Sequence, residues 1–169
     1  MTSEAIKIKD NLYYDERSAG GIVYRVEKDK IKWLMVKTIS GYKSGKKKNQ
    51  KAVYKFPKGH LKDNEFLKQA ALREVEEEGQ IKAKIITKIG SNNYVLWDSE
   101  NKKKIIKKVT FFLMEYKEES RLKYYDSEMV IERGWFSFED ACEKLEYDSE
   151  KVLLKKAKNK LESFKPLCR

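Results

Sequence analysis

Residues 56–81 read FPKGHLKDNEFLKQAALREVEEEGQI, and this stretch decides how the rest of the chain is understood. Between Glu65 and Glu78 the apolar residues Leu67, Ala70, Ala71 and Val75 recur at spacings of three and four, which predicts an amphipathic helix with one buried face. Asp63 or Asn64 is placed to cap its start and Gly79 to stop it. Four glutamates, Glu74, Glu76, Glu77 and Glu78, crowd its last turns, where like charges repel by a few tenths of a kcal/mol per pair. At 100° per residue, Glu77 falls to one side of Glu74 and Glu78 to the other, so the three share a wedge about 100° wide while Glu76 points away. A wedge of hard carboxylate oxygens suits Mg²⁺ or Mn²⁺. The alternative for the glutamates alone is an acidic solvated face balanced by nearby lysines.

Working outward, the chain before the helix reads as strands. Ser18 to Val26 (SAGGIVYRV) begins with two glycines, which suggests a strand in a tight backbone passage. Ile31 to Ile39 is a second strand, joined through a turn at Glu27-Lys28-Asp29-Lys30, and Val53 to Phe56 is a short third that ends at Pro57. Between them Ser40 to Lys51 has the composition of a long loop. After the helix, Lys84 to Ile89 and Asn93 to Trp97 read as two strands, Asp98 to Asn101 as a turn, and Lys104 to Tyr116 as a long strand. Val130 to Phe136 is a further strand. Ser137-Phe138-Glu139-Asp140 matches the capping-box pattern and opens a short helix to about Leu145. Asp148 or Ser149 caps a last helix with a stripe of Leu154, Ala157, Leu161 and Phe164. This order of strands, helix, strands and helices predicts an α/β or α+β layered fold with a mixed sheet.

The whole chain, 169 residues, fits one domain, 1–169, with residues 1–15 as a polar lead-in. The fraction of hydrophobic residues, 40%, argues against a fully disordered chain. No apolar run approaches the roughly 18 residues of a membrane span, and the polar start shows no secretory signal. Cys142 and Cys168 form neither a disulfide framework nor a zinc spacing. The expectation is a soluble, cytoplasmic protein. The formal net charge of +11 favours polyanionic partners. It is concentrated in three lysine clusters: Lys43, Lys46, Lys47, Lys48 and Lys51; Lys102, Lys103, Lys104, Lys107 and Lys108; and Lys151, Lys155, Lys156, Lys158 and Lys160. A solvated surface explains such clusters as readily, and bidentate phosphate recognition tends to use Arg rather than Lys.

Gly59, Glu65, Arg73, Glu74, Val75, Glu77 and Glu78 fit the pattern G-x5-E-x7-R-E-U-x-E-E, with U aliphatic. This resembles the Nudix hydrolase signature. The full pattern continues x-G-U; Ile81 supplies the aliphatic residue, but the glycine, Gly79, comes one position early. Arg17-Ser18-Ala19-Gly20-Gly21 is similar to the family's first strand, and Trp135-Phe136 followed by Phe138-Glu139-Asp140-Ala141 to its strand-to-helix exit, so the likeness covers about residues 16 to 165. It implies an α/β fold, an α/β/α sandwich around a mixed sheet. It also implies a Mg²⁺-dependent hydrolase that cleaves a phosphoanhydride bond in a nucleoside diphosphate-linked compound, by attack of water on phosphorus.

The resemblance further implies that Glu74, Glu77 and Glu78, with the Gly59 carbonyl, hold Mg²⁺ or Mn²⁺. Arg73 would orient the glutamates, and Glu65 would pair with Arg73. Glu77 or Glu74 would act as general base, with Glu128 and Glu132 as candidates from a later segment. Pro57-Lys58-Gly59-His60 is similar to the run in the diadenosine tetraphosphate hydrolase branch, which makes a dinucleoside polyphosphate the expected substrate and gives Lys58 a phosphate contact. His60, Arg17, Lys37 and Tyr42 are substrate contacts by position only, and Tyr94 or Trp97 could stack on a base. Two other readings stay open. The Ser40–Lys51 loop could hold the 5′ end of an RNA or a diphosphoinositol polyphosphate, and the fold could serve as a non-catalytic nucleotide- or RNA-binding module. Oligomeric state is not legible.

Overall fold

A computed structural model describes residues 6–7, 13–39, 51–122 and 130–164. In chain order the elements are β1 (Ile6–Lys7), β2 (Tyr13–Tyr14), β3 (Glu16–Glu27), β4 (Lys30–Ile39), β5 (Ala52–Lys55), β6 (Lys58–His60), α1 (Leu67–Gly79), β7 (Ile81–Asp98), β8 (Lys103–Glu119), β9 (Val130–Phe136), α2 (Phe138–Lys144) and α3 (Asp148–Ser163). β1 and β2 pair with each other. The other seven strands form one sheet of order β5-β4-β3-β8-β7, with β6 added to β3 and β9 to β4. β3 and β8 run parallel and the remaining pairs antiparallel, so the sheet is mixed.

Each face of the sheet buries its own core. On one side Ala70, Ala71 and Val75 of α1 pack against Ala19, Val23, Leu34, Phe112 and Met114. On the other, Leu153, Leu154, Ala157 and Leu161 of α3 and Ala141 of α2 pack against Ile22, Trp33, Met35, Phe111 and Leu113. Alternation along β8 sends odd residues to one layer and even residues to the other, which completes the α/β/α sandwich. The helical stripe expected for α3 holds at Leu154, Ala157 and Leu161, but Phe164 lies 51% exposed, past the last turn.

Several elements differ from the sequence reading. β7 is one strand from Ile81 to Asp98, not two: it is an edge strand paired only with β8, and the polar Ser91 and Asn92 find side-chain partners there in Thr110 and Tyr94. Lys58 to His60 is a strand, paired with Ser18 to Gly20, although Pro57 reads as the end of regular structure. α1 starts at Leu67, with Phe66 as N-cap: Asn64 has φ 59°, and Gln69 Oε1 accepts the Phe66 N–H at 3.0 Å. α3 is capped by Tyr147 rather than Asp148 or Ser149. Ser137 caps α2 as its pattern predicts, accepting from the Asp140 N–H at 3.0 Å.

The displaced glycine has a physical account. Gly79 is buried, and a Cβ there would meet Leu34 Cδ2 at 2.9 Å. The left-handed turn that stops α1 falls instead on Gln80, φ 58° and ψ 31°, whose N–H donates to the Glu76 carbonyl at 2.9 Å. A glutamine there carries strain that glycine would not.

Candidate active site

The site forms where β3 and β4 part. Their mutual pairing is confined to Tyr24–Glu27 with Lys30–Trp33 at the hairpin, and further back β6 takes the open edge of β3. A cavity of about 530 Å³ opens there, lined by Ser18, Lys55, Lys58 to Lys62, Arg73, Glu74, Glu77, Glu78 and Lys107. Gly59 packs directly on Glu74: a Cβ at this position would lie 2.2 Å from the carboxylate carbon, so only glycine lets β6 and α1 approach this closely.

Arg73 organises the carboxylates. Its Nε and Nη2 donate to the two oxygens of Glu65 at 2.7 and 2.9 Å, a bidentate pair. Nη1 donates to Glu74 Oε1 at 2.7 Å and to Glu77 Oε2 at 3.1 Å, and Nη2 also reaches the His60 carbonyl at 2.9 Å. The expected Glu65–Arg73 pair therefore forms, although Glu65 precedes the helix rather than belonging to it. Glu78 accepts the Lys58 backbone N–H at 2.9 Å, and its other oxygen lies 3.8 Å from Lys55 Nζ. Glu76 points away, as its helical angle requires, and accepts from Ser120 Oγ at 2.7 Å.

The electrostatics follow. Hydrogen bonds from Arg73 hold the Glu65 carboxyl down at about 2. Burial pushes Glu74 up, against the pull of Arg73, and the charges of Glu78 and Glu77 add to the rise. Burial also pushes Glu78 up, with Lys55 and the Lys58 N–H opposing. The buried acids thus resist ionisation, and a cation would relieve them. As the side chains stand, no three acidic or imidazole groups among the described residues converge on one point as an ion-holding cluster. The hydrogen bonds engage one oxygen each of Glu74 and Glu77 with Arg73 and one of Glu78 with the Lys58 N–H. The donor set, carboxylates with the carbonyl-bearing backbone of Gly59 against them, is of the hard-oxygen kind that suits a divalent cation.

The other predicted contacts divide. His60 is at the rim, its Nε2 3.0 Å from Glu16 and 3.2 Å from Lys107 Nζ. The Lys58 ammonium turns away from the carboxylates to Glu150 of α3, at 2.9 Å, amid the rings of Tyr94, Phe111 and Tyr147. Burial works against that ammonium, yet Glu150 together with Tyr94 and Tyr147 more than offsets it, and the Lys58 pKa is raised. Tyr94 packs with the α3-side core and is not in the cavity lining. Lys37 lies 3.5 Å from Glu132, which also accepts from Tyr54 at 2.7 Å; both sit on the β4–β9 side, outside the lining. Arg17 contributes its carbonyl, which accepts the Leu61 N–H at 3.2 Å. Tyr42, Glu128 and most of the first lysine cluster lie outside the described residues. The sequence does not mark Lys55, and it offers Lys107 only as a member of a lysine cluster and Ser18 only within the Arg17–Gly21 run, neither as a cavity residue. Their signal was available in hindsight only through the register that sets Ser18 beside His60 and Lys107 beside Glu16.

A family model described as NUDIX domain matches residues 15–156. Among solved structures, the chain is similar to a NUDIX hydrolase from Nitrosomonas europaea, with TM-score 0.63 and 17% identity over 89% of this chain and 96% of that one. It is similar to a C. elegans Ap4A hydrolase in a binary complex, with TM-score 0.61 and 23% identity over 88% and 99%. It is also similar to the NUDIX domain of Shewanella oneidensis NrtR complexed with ADP ribose, with TM-score 0.58 and 14% identity over 91% and 93%.

Proposed function

This chain belongs to the Nudix family, and from that premise we propose that it is a divalent cation-dependent diphosphohydrolase of nucleoside diphosphate-linked compounds, with a dinucleoside polyphosphate as its substrate. The observation that carries the reading is the set of Glu74, Glu77 and Glu78 beside Gly59, in a cavity of about 530 Å³ that also presents Lys55 and Lys107. Glu65, Glu74, Glu77 and Glu78 share Arg73 and, at 3.8 Å from Glu78, Lys55, and burial pushes Glu74 and Glu78 toward protonation, which a divalent cation held among them would oppose. The Pro57-Lys58-Gly59-His60 run and the shared fold of the Ap4A hydrolase support the choice of substrate.

Mg²⁺ or Mn²⁺ bound there supplies charge against the polyphosphate and acidity to an attacking water. Glu74 and Glu78 are the buried pair fitted to hold it, with the Gly59 carbonyl. Glu77, more exposed at 26%, accepts the proton from water. Arg73 fixes the rotamers of Glu74 and Glu77 from one guanidinium, and Glu65 fixes Arg73. Lys55 and Lys107, both in the cavity lining, meet the phosphate oxygens.

A panel of dinucleoside polyphosphates, ADP-ribose and 5′-triphosphorylated RNA, incubated with Mg²⁺ or with EDTA, tests the proposal. Turnover of a dinucleoside polyphosphate that vanishes with EDTA and in Glu77→Gln is expected. Full turnover in that variant, or none on any diphosphate by the wild type, overturns it.

A further inference from the structure

The β7–β8 hairpin presents a second surface, on the α1 side of the sheet but beyond that helix. Register and alternation place Asn93 beside Lys108, Val95 beside Ile106 and Trp97 beside Lys104 on one face. The parallel ladder adds Arg17 next to Lys108. Further along the same face of β8, Phe112 and Met114 are buried under α1, whereas Val95 is 67% and Trp97 64% exposed. Lys102, Lys103 and Lys104 at the tip are exposed as well. The acids nearby, Asp15, Asp98 and Glu100, are outnumbered by Arg17, Lys102, Lys103, Lys104 and Lys108. Asp98 accepts three hydrogen bonds within its own turn, Asp15 accepts the Ile106 N–H, and Glu100 sits in the tip. An apolar strip ending in an accessible indole and bordered by cations is complementary to one kind of partner: a flexible polyanion with planar bases.

We propose that this face binds single-stranded nucleic acid, with a base stacked on Trp97 and phosphates on Lys104, Lys108 and Arg17. Successive rows of the strip are about 7 Å apart, so Lys104 and Lys108 bracket a stretch of about 14 Å, a few nucleotides of extended strand. The indole needs an unstacked base, which a duplex does not offer. Lysines act as point charges, so the surface selects strandedness and charge rather than sequence. Lys107, the neighbour of Lys108, faces the catalytic cavity from the opposite side of the same strand, so the ribbon adjoins the cavity without being part of it.

The test is fluorescence anisotropy with a labelled oligouridine, the same length of duplex RNA, and vesicles of phosphatidylserine in competition. The single strand is expected to bind more tightly than the duplex. Trp97→Ala weakens binding about tenfold while Trp97→Phe retains most of it. Lys104→Ala lowers the slope of log affinity against log salt by roughly 0.7, and leaves hydrolysis of a small dinucleotide unchanged. The proposal is overturned if the wild type does not bind the oligonucleotide, if both alanine variants bind it as the wild type does, or if vesicles are bound in its place. Because the readout is binding, it stands or fails separately from the hydrolase reading.

Discussion

Two charged clusters meet at β6, and they are built on opposite principles. On the α1 side, the guanidinium of Arg73 serves Glu65, Glu74 and Glu77, and Lys55 lies 3.8 Å from Glu78; four carboxylates share two cations, partly open to the cavity. On the α3 side, Lys58 and Glu150 pair one to one, with Glu150 fully buried and one of its oxygens, Oε2, without a hydrogen bond. In the first cluster burial raises Glu74 and Glu78, which a cation bound there would oppose. The second is electrically closed, one charge against one. Charge imbalance, rather than the presence of charge, separates the proposed active site from an architectural pair here.

The largest effect expected from breaking the contrast lies in the open cluster. Glu77→Gln should lower kcat by at least about a hundredfold, the range general bases supply. Its melting temperature should hold or rise, because a repelling charge has gone; calorimetry beside a hydrolysis assay reads both. In the closed cluster the signs reverse. Glu150→Ala strands a buried ammonium and should cost about 3–5 kcal/mol, measured by urea unfolding, whereas the double variant Lys58→Met/Glu150→Leu should recover most of that.

pH sharpens the comparison further. Glu65 is held at about 2, below its unfolded value of about 4.5, so its contribution is complete above about 4.5 and is lost as pH falls toward 2. Glu74 and Glu78 are raised, so their charged forms oppose folding at neutral pH and acidification through the raised values relieves them. Glu74→Gln should accordingly raise the melting temperature at pH 7.5, with the gain shrinking under mild acid, while Glu65→Gln should flatten the loss of stability between about pH 4.5 and 2. Unfolding curves across pH check both. The smallest effect belongs to the end of α1: Gln80→Gly relieves the left-handed residue and should add about 0.5–1 kcal/mol, some 2–3 °C for a chain of this size.

The parts of the molecule legible in the sequence are those where one local rule acts alone. The spacing of Leu67, Ala70, Ala71 and Val75 gave α1, the angles of Glu74, Glu77 and Glu78 gave their shared wedge, and Val130–Phe136 matched its strand to the residue. Where tertiary pairing overrides local preference, reading failed. β6 has three residues after a proline and exists because β3 offers an edge; Phe66 caps α1 because Gln69 satisfies its N–H. Glu150, in the first turn of an exposed-looking amphipathic helix, carries no local mark of complete burial, since its partner Lys58 lies 92 residues away. For the same reason Lys58 reads as a phosphate ligand, while its position shows it anchored to α3.

β3 is laced to β8 by nine residue pairs and to β6 by three, yet holds β4 only at the hairpin. A seam left unsewn along one side makes the two halves of the sheet unequal in stiffness. The leaf bearing Gly59 is tied to β3 on one edge and lies against Glu74 of α1, while the leaf of β4, β5 and β9 meets β3 only at the hairpin. Any outward swing of that second leaf carries Lys55 and Arg133 with it, so the width of the cavity and the setting of Glu78 change together.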